Sequence, residues 1–526
     1  MVAGTVGNAR MKTLVSTLKL SGNPFEHYTA ETEPNIADYA IRPPYLQAIS
    51  DRVRGLSSFI LFGDRGAGKS ATRLTVYNEI WKRVGDKDSD SRSPFVLNLT
   101  DYSSLQEIFK KDRLTEKDIV NVVAFNVVEQ VLAWLSSLED DERAIFIDVL
   151  DNDERTLAFA LLKGFYLSVP EMDRTLSTKE ALQLLKSAWT TKSAIWASQR
   201  WESLSKIVAS VIGALSKKEV GNSVDISAPA EAILRSLTGD APSAPRAILD
   251  KLSEFVRGFG FSGISVLVDK VDETPATASS AESTARLIYP LLSHVQLMEV
   301  AGFSWIFFLW SNVKDHLSGK YTVRLDKLAH SNIIWKSEGL RAMVESRMRF
   351  YSRGELTFSS LFEAGIDVES LFQSLCEIAV NSPRELIKLL DTIIREHDVR
   401  GDDAPDLIDT NSLEIGQDKF ALETMSAWFA VGPLQQVLRV GKTQFVNRDV
   451  QTVFKIGDQG ARVKIKNWVD VGLVNQTGTA PSETGAKQAY LFSVADARVR
   501  RVIQRKLSDV VGAEVVQPEQ EADGHE

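Results

Sequence analysis

Ser58-Phe59-Ile60-Leu61-Phe62 runs directly into Gly63-Asp64-Arg65-Gly66-Ala67-Gly68-Lys69-Ser70. The first five residues form an apolar run of strand length, and Ala71 to Val84 carries a helical pattern. Between them stands G-x-x-x-x-G-K-S in strand–loop–helix context, the pattern of a phosphate-binding loop. Glycines let a backbone curl until successive N–H groups face one anion. The helix that begins near Lys69 aims its positive dipole end at the same point. On this reading Gly63, Asp64, Arg65, Gly66, Ala67, Gly68, Lys69, Ser70 and Ala71 contact a nucleotide. Lys69 is expected at the β- and γ-phosphates of ATP, and the Ser70 hydroxyl on Mg²⁺. Arg65 is either a further phosphate contact or a solvated loop tip.

A chain of 526 residues exceeds what one core needs, so two to four domains are expected. Hydrophobic residues at 44% and charged residues at 25% fit a globular protein. The net charge of −9 argues against nonspecific nucleic-acid binding by the whole body, while leaving room for a local basic module. The single cysteine, Cys376, excludes an intrachain disulfide and favours a cytoplasmic location; it sits in an apolar helical pattern as a small core residue. No apolar run is expected to span a membrane, and the N-terminus lacks the pattern of a secretory signal. Without C-x-x-C or H-E-x-x-H, no metal is expected beyond nucleotide-bound Mg²⁺.

A second motif is Ile264-Ser265-Val266-Leu267-Val268-Asp269-Lys270-Val271-Asp272-Glu273, a buried strand ending in acids. A carboxylate there lies beside the phosphate loop and can hold Mg²⁺ through water, a role that falls to Asp269. Asp272 or Glu273 would polarise the attacking water. The acids are interrupted by Lys270-Val271, so the choice between them stays open. Phe303 to Trp310 reads as another buried strand, and Asn312, or Ser311, at its tip is a candidate sensor of the γ-phosphate. Ahead of the loop, Ile41, Pro43 and Tyr45 are candidates to pack on adenine.

Residues 1–22 read as a flexible arm, and 23–104 as the first part of the nucleotide core. Residues 105–245 are mostly helical in pattern and read as an insertion, with Trp189, Trp196 and Trp201 as core residues. The core resumes over 246–336, a helical segment follows over 337–416, and 511–526 reads as a disordered acidic tail. Over 417–510, helices precede a strand–loop–strand, the outline of a winged helix. Its third helix carries Arg462, Lys464 and Lys466, which could meet duplex DNA, with a wing near Lys487 on the phosphate backbone. A winged helix also serves as a plain protein-contact module.

Taken in order, these motifs resemble AAA+ ATPases related to origin-recognition initiators and the neighbouring STAND-type NTPases. Gly63–Ser70 is similar to Walker A, Val266–Glu273 to Walker B, and Asn312 to sensor 1. Arg324-Leu325-Asp326 resembles the arginine-finger segment, and Ser382-Pro383-Arg384 resembles sensor 2 at the start of a lid helix. The resemblance implies an α/β P-loop NTPase with a parallel sheet, a helical insertion, a helical lid and a C-terminal winged helix. It implies a Mg²⁺-dependent ATP hydrolase in which Arg324 acts on a neighbouring subunit's nucleotide and Arg384 reaches the γ-phosphate. A homo-oligomer or a partner protein, and DNA, would be its partners. The alternative is a STAND-like nucleotide-gated switch in bacterial defence or signalling that binds proteins rather than DNA.

Overall fold

Phe59–Gly63 forms β1, buried at every position. Phe95–Leu99 (β2), Ile264–Val268 (β3), Phe303–Trp310 (β4) and His330–Asn332 (β5) join it in a five-stranded sheet of order β2-β3-β4-β1-β5. All pairs are parallel, with Gly63 opposite Trp310, Val268 opposite Phe307 and Leu99 opposite Val268. Parallel strands are covered on both faces, which is why β1, β3 and β4 read as near-continuous apolar runs, broken in β3 and β4 by Ser265 and Ser304, which bond each other at 2.9 Å. β5 is a short, exposed, polar edge strand, and no hydrophobic pattern marks it in the sequence. This computed structural model describes residues 13–29, 33, 36–41, 44–84, 92–170, 213, 227–239, 241–277, 280–480 and 488–507.

The chain divides into two compact units, Arg42–Ile334 and Met1–Ile41 with Trp335–Glu526. In the first unit the helix Lys69–Trp81 follows β1, and the helix Ala244–Gly258 leads into β3. The helix Glu116–Ser137 is long and apolar enough to cross a membrane by length and composition alone, but 78% of its apolar window is buried inside the fold. It packs against Ala244–Gly258, and Gln130 Nε2 donates to the Val96 carbonyl of β2 at 2.7 Å. It is therefore a core helix of the sheet layer. Further helices, Asp140–Asp148, Asn152–Leu161 and Ser227–Thr238, follow within the stretch read as an insertion. The tryptophans at 189, 196 and 201 lie outside the described residues, as do the N-terminal residues 1–12 and the acidic tail.

In the second unit, Ser337–Tyr351, Val368–Ile378 and Pro383–Val399 build a helical core around Leu340, Val344, Leu375, Leu386 and Ile393. Leu14 and Phe25 of the N-terminal segment are buried in that same core. Glu33 seals the attachment: its carboxylate accepts both arms of Arg347, one at 2.7 Å, and the Tyr39 hydroxyl. Burial, with the Glu33 hydrogen bond, pushes the Tyr39 hydroxyl far above its ordinary range. Beyond the helix Thr410–Trp428, the order is helix Val431–Val440, β6 Gln444–Val446, helices Asn447–Phe454 and Asp458–Asp470, β7 Val474–Ala480, β8 Ala489–Val494 and helix Ala497–Gln504. The strands pair antiparallel in the order β6-β8-β7 over a core that includes Val437, Phe445, Ile465 and Trp468.

Candidate functional site

Parallel pairing brings the C-terminal ends of β1, β3 and β4 to one edge of the sheet. Ligands of open α/β sheets bind at that edge. Gly63 ends β1, and its carbonyl accepts the Ser311 N–H at 3.3 Å, just past β4. The chain then turns through Gly66 at φ 79° and Gly68 at φ 87°, left-handed conformations that glycine adopts without strain. Gly68 is the N-cap of the helix Lys69–Trp81 and offers no side chain to its opening amides. A helix start of this kind presents open N–H donors at the positive end of its dipole. Lys69 is buried, and its ammonium donates to the Gly63 carbonyl at 2.8 Å and the Asp64 carbonyl at 3.1 Å. The amine is thereby held over the mouth of the loop.

The two aspartates after β3 each meet an arginine. Asp269 Oδ2 accepts from Arg73 Nε at 2.9 Å, with both side chains within 4% of full burial. Arg73 stands on the P-loop helix four residues after Lys69 and three after Ser70, so all three share one side of it. The Tyr102 hydroxyl donates to the backbone carbonyls of Leu99 (3.0 Å) and Asp269 (2.9 Å), fixing the end of β2 against the end of β3. Burial, then the Asp269 charge, raises the Tyr102 phenol well above its ordinary range. Lys270 turns the chain in a left-handed conformation, φ 60°, into the short helical turn Val271–Glu273. Asp272 is buried, and its carboxylate lies 3.4 Å from Arg65 Nε. The Arg65 guanidinium also stacks on Trp310, 4.5 Å from the ring centroid. Glu273, next to it, is exposed.

Other expected site residues fall as follows. Asn312 is exposed at the start of the helix Val313–Ser318, directly after β4. Arg324 makes a two-armed pair with Asp326 at 2.8 and 2.7 Å on the surface. Tyr45 bonds to Thr72 of the P-loop helix, and burial pushes its hydroxyl up to about 12. Ile41 is half-buried at the end of the other unit, and Pro43 lies outside the described residues. Arg384 occupies the first turn of Pro383–Val399, capped by Ser382. On the helix Asp458–Asp470, Arg462 is tied to Asp458 at 2.9 Å, Lys464 sits 4.9 Å from the Phe454 ring centroid, and Lys466 is exposed. Lys487 lies outside the described residues.

Sequence reasoning missed Arg73, Trp310 and Tyr102. The signal for Arg73 was present. With Thr72, Val76, Tyr77 and Ile80 it makes up the buried stripe of its helix, where an arginine needs a buried partner.

No protein-family model and no curated protein sequence matches the chain. Among solved structures it is similar to the Aeropyrum pernix ORC2 protein in ADPNP–ADP complexes (TM-score 0.39, 11% identity, covering 91% of this chain and 99% of that one). It is also similar to the Aeropyrum pernix ORC1 protein in complex with DNA (0.36, 10%, 92% and 98%) and to Pyrobaculum aerophilum CDC6P (0.32, 10%, 92% and 98%). The α/β fold is read from the sheet order and the loop themselves.

Proposed function

We propose that the chain binds ATP on Gly63–Ser70 and hydrolyses it, and that the bound nucleotide governs its assembly and its contact with duplex DNA. The observation that carries this is the loop. Two left-handed glycines and an uncapped helix start converge at the sheet edge where the end of β3 also arrives. Lys69, already over that loop, would neutralise the phosphates. Asp272 would orient water, and its burial beside Arg65 favours it over exposed Glu273. Asn312 would report on the γ-phosphate, Arg324 would serve a neighbouring subunit, and Pro43 would lie against the base.

Mg²⁺ would stabilise charge on the transferring phosphate when bound. Ser70 and Asp269 offer the hydroxyl and carboxylate such an ion takes, and Asp269 at present holds Arg73 instead. A cytoplasmic ATPase of this kind loses turnover in Lys69→Ala; turnover equal to that of the unmodified chain overturns the reading.

The helices and three strands of 417–510 follow the order of a winged helix, and Arg462, Lys464 and Lys466 make its third helix the candidate DNA-binding element. Duplex DNA affinity that falls steeply with salt, and less steeply in Lys464→Ala/Lys466→Ala, supports that role. A second reading, a nucleotide-gated switch that binds proteins, is favoured by the same helix. It carries Asp458 and Asp470 with its basic residues, Arg462 is already paired, and Val463 is exposed. Absence of DNA binding at low salt selects it.

A further inference from the structure

The two aspartates that follow β3, Asp269 and Asp272, are already matched by arginines of the phosphate loop and its helix. Asp269 and Arg73 form a dry ion pair, side chains 3% and 4% exposed. Asp272 faces Arg65, which Trp310 holds by stacking on its guanidinium. A divalent cation is drawn to a P-loop by uncompensated carboxylate charge beside the helix start. Here that charge is balanced by side chains of the chain itself. Arg73 comes from the same side of the helix as Lys69 and Ser70, one turn further from the loop, and reaches the carboxylate that ends β3. To reach Asp269, a hydrated cation has to displace a buried guanidinium that is paired with it.

We propose that Arg73 is a resident counter-ion that competes with Mg²⁺ for Asp269, so that this chain holds adenine nucleotide with little dependence on divalent cation. The proposal rests on the nucleotide reading above and sets its cation requirement. Arg73 acts as a positioning residue, through Asp269. Arg65 does the same for Asp272, keeping that carboxylate from turning to an incoming metal.

The test is equilibrium binding of ADP to the full chain, by calorimetry, in EDTA and in millimolar magnesium chloride. ADP is used so that turnover plays no part. For the unmodified chain, the affinity changes by less than about tenfold between the two conditions. Arg73→Met leaves Asp269 open to the metal, and magnesium then strengthens ADP binding by about tenfold or more. Arg73→Gln, which keeps a hydrogen-bond donor for Asp269, gives a smaller gain in the same direction. Manganese bound in the ADP complex, read by electron paramagnetic resonance, rises in Arg73→Met over the unmodified chain. Should neither variant fold, the unmodified chain decides alone, because a magnesium gain well beyond tenfold there overturns the proposal. Magnesium effects equal in the unmodified chain and both variants also overturn it, while leaving the nucleotide reading intact. No ADP binding in either condition overturns both.

Discussion

Replacing Asp269 by alanine should unfold the first unit far more readily than active-site substitutions usually do. The carboxylate is 3% exposed and its partner Arg73 is 4% exposed, so the variant takes a buried counter-charge away from a buried guanidinium. Breaking a buried ion pair from one side costs about 3–5 kcal/mol. That is a large part of a typical stability of about 5–15 kcal/mol. At about 2–4 °C per kcal/mol for a large domain, the unfolding midpoint drops by roughly 6–20 °C. Replacing both members by apolar side chains of similar volume, as in Arg73→Met/Asp269→Leu, leaves neither charge buried and should recover most of the loss. The assay is thermal unfolding of the full chain, followed by fluorescence of Trp81, Trp134 and Trp305, all buried in this unit. A single variant within about 1 kcal/mol of the unmodified chain would refute the claim that the pair is dry and intact. So would a double variant no better than the single.

Burial pushes the Cys376 thiol up to about 12, against a lowering pull from Arg341. Native protein at pH 8 should therefore resist a disulfide reagent that labels the unfolded chain at once; prompt native labelling contradicts it. Because that pKa is raised in the folded state, the thiol's contribution to stability is present below the unfolded value of about 8.5 and is lost as pH rises toward 12. Glu33→Gln leaves Arg347 buried against a neutral partner, and a cost of about 3–5 kcal/mol would speed Cys376 labelling by about 10²–10⁴-fold. An unchanged rate would mean that the N-terminal segment does not hold that core.

The central strands and the loop were legible because their physics is local. A strand covered on both faces reads as a nearly continuous apolar run, and a tight turn into a helix favours glycine where φ is positive. β1, β3 and β4, with Gly66 and Gly68, satisfy those conditions within a few residues of sequence. β5 was not legible, because His330-Ser331-Asn332 is an exposed edge whose place is set only by pairing with β1. The partners of the acids were not legible either. Arg73 and Asp269 are 196 residues apart, and Trp310 meets Arg65 only because β4 ends opposite Gly63. The long helix Glu116–Ser137 was legible as a helix but not in its place. Its role as a layer on β2 depends on Gln130 reaching Val96, which no periodicity reveals.

Titration of a non-hydrolysable ATP analogue into the full chain and into Lys69→Ala asks most directly whether the Gly63–Ser70 turn is a triphosphate cradle. One saturable site per chain is expected. A charge-assisted hydrogen bond is worth about 1.5–3 kcal/mol, so the alanine variant should bind about 10- to 150-fold more weakly. No saturable binding to the unmodified chain, or equal affinity in the two proteins, would contradict it.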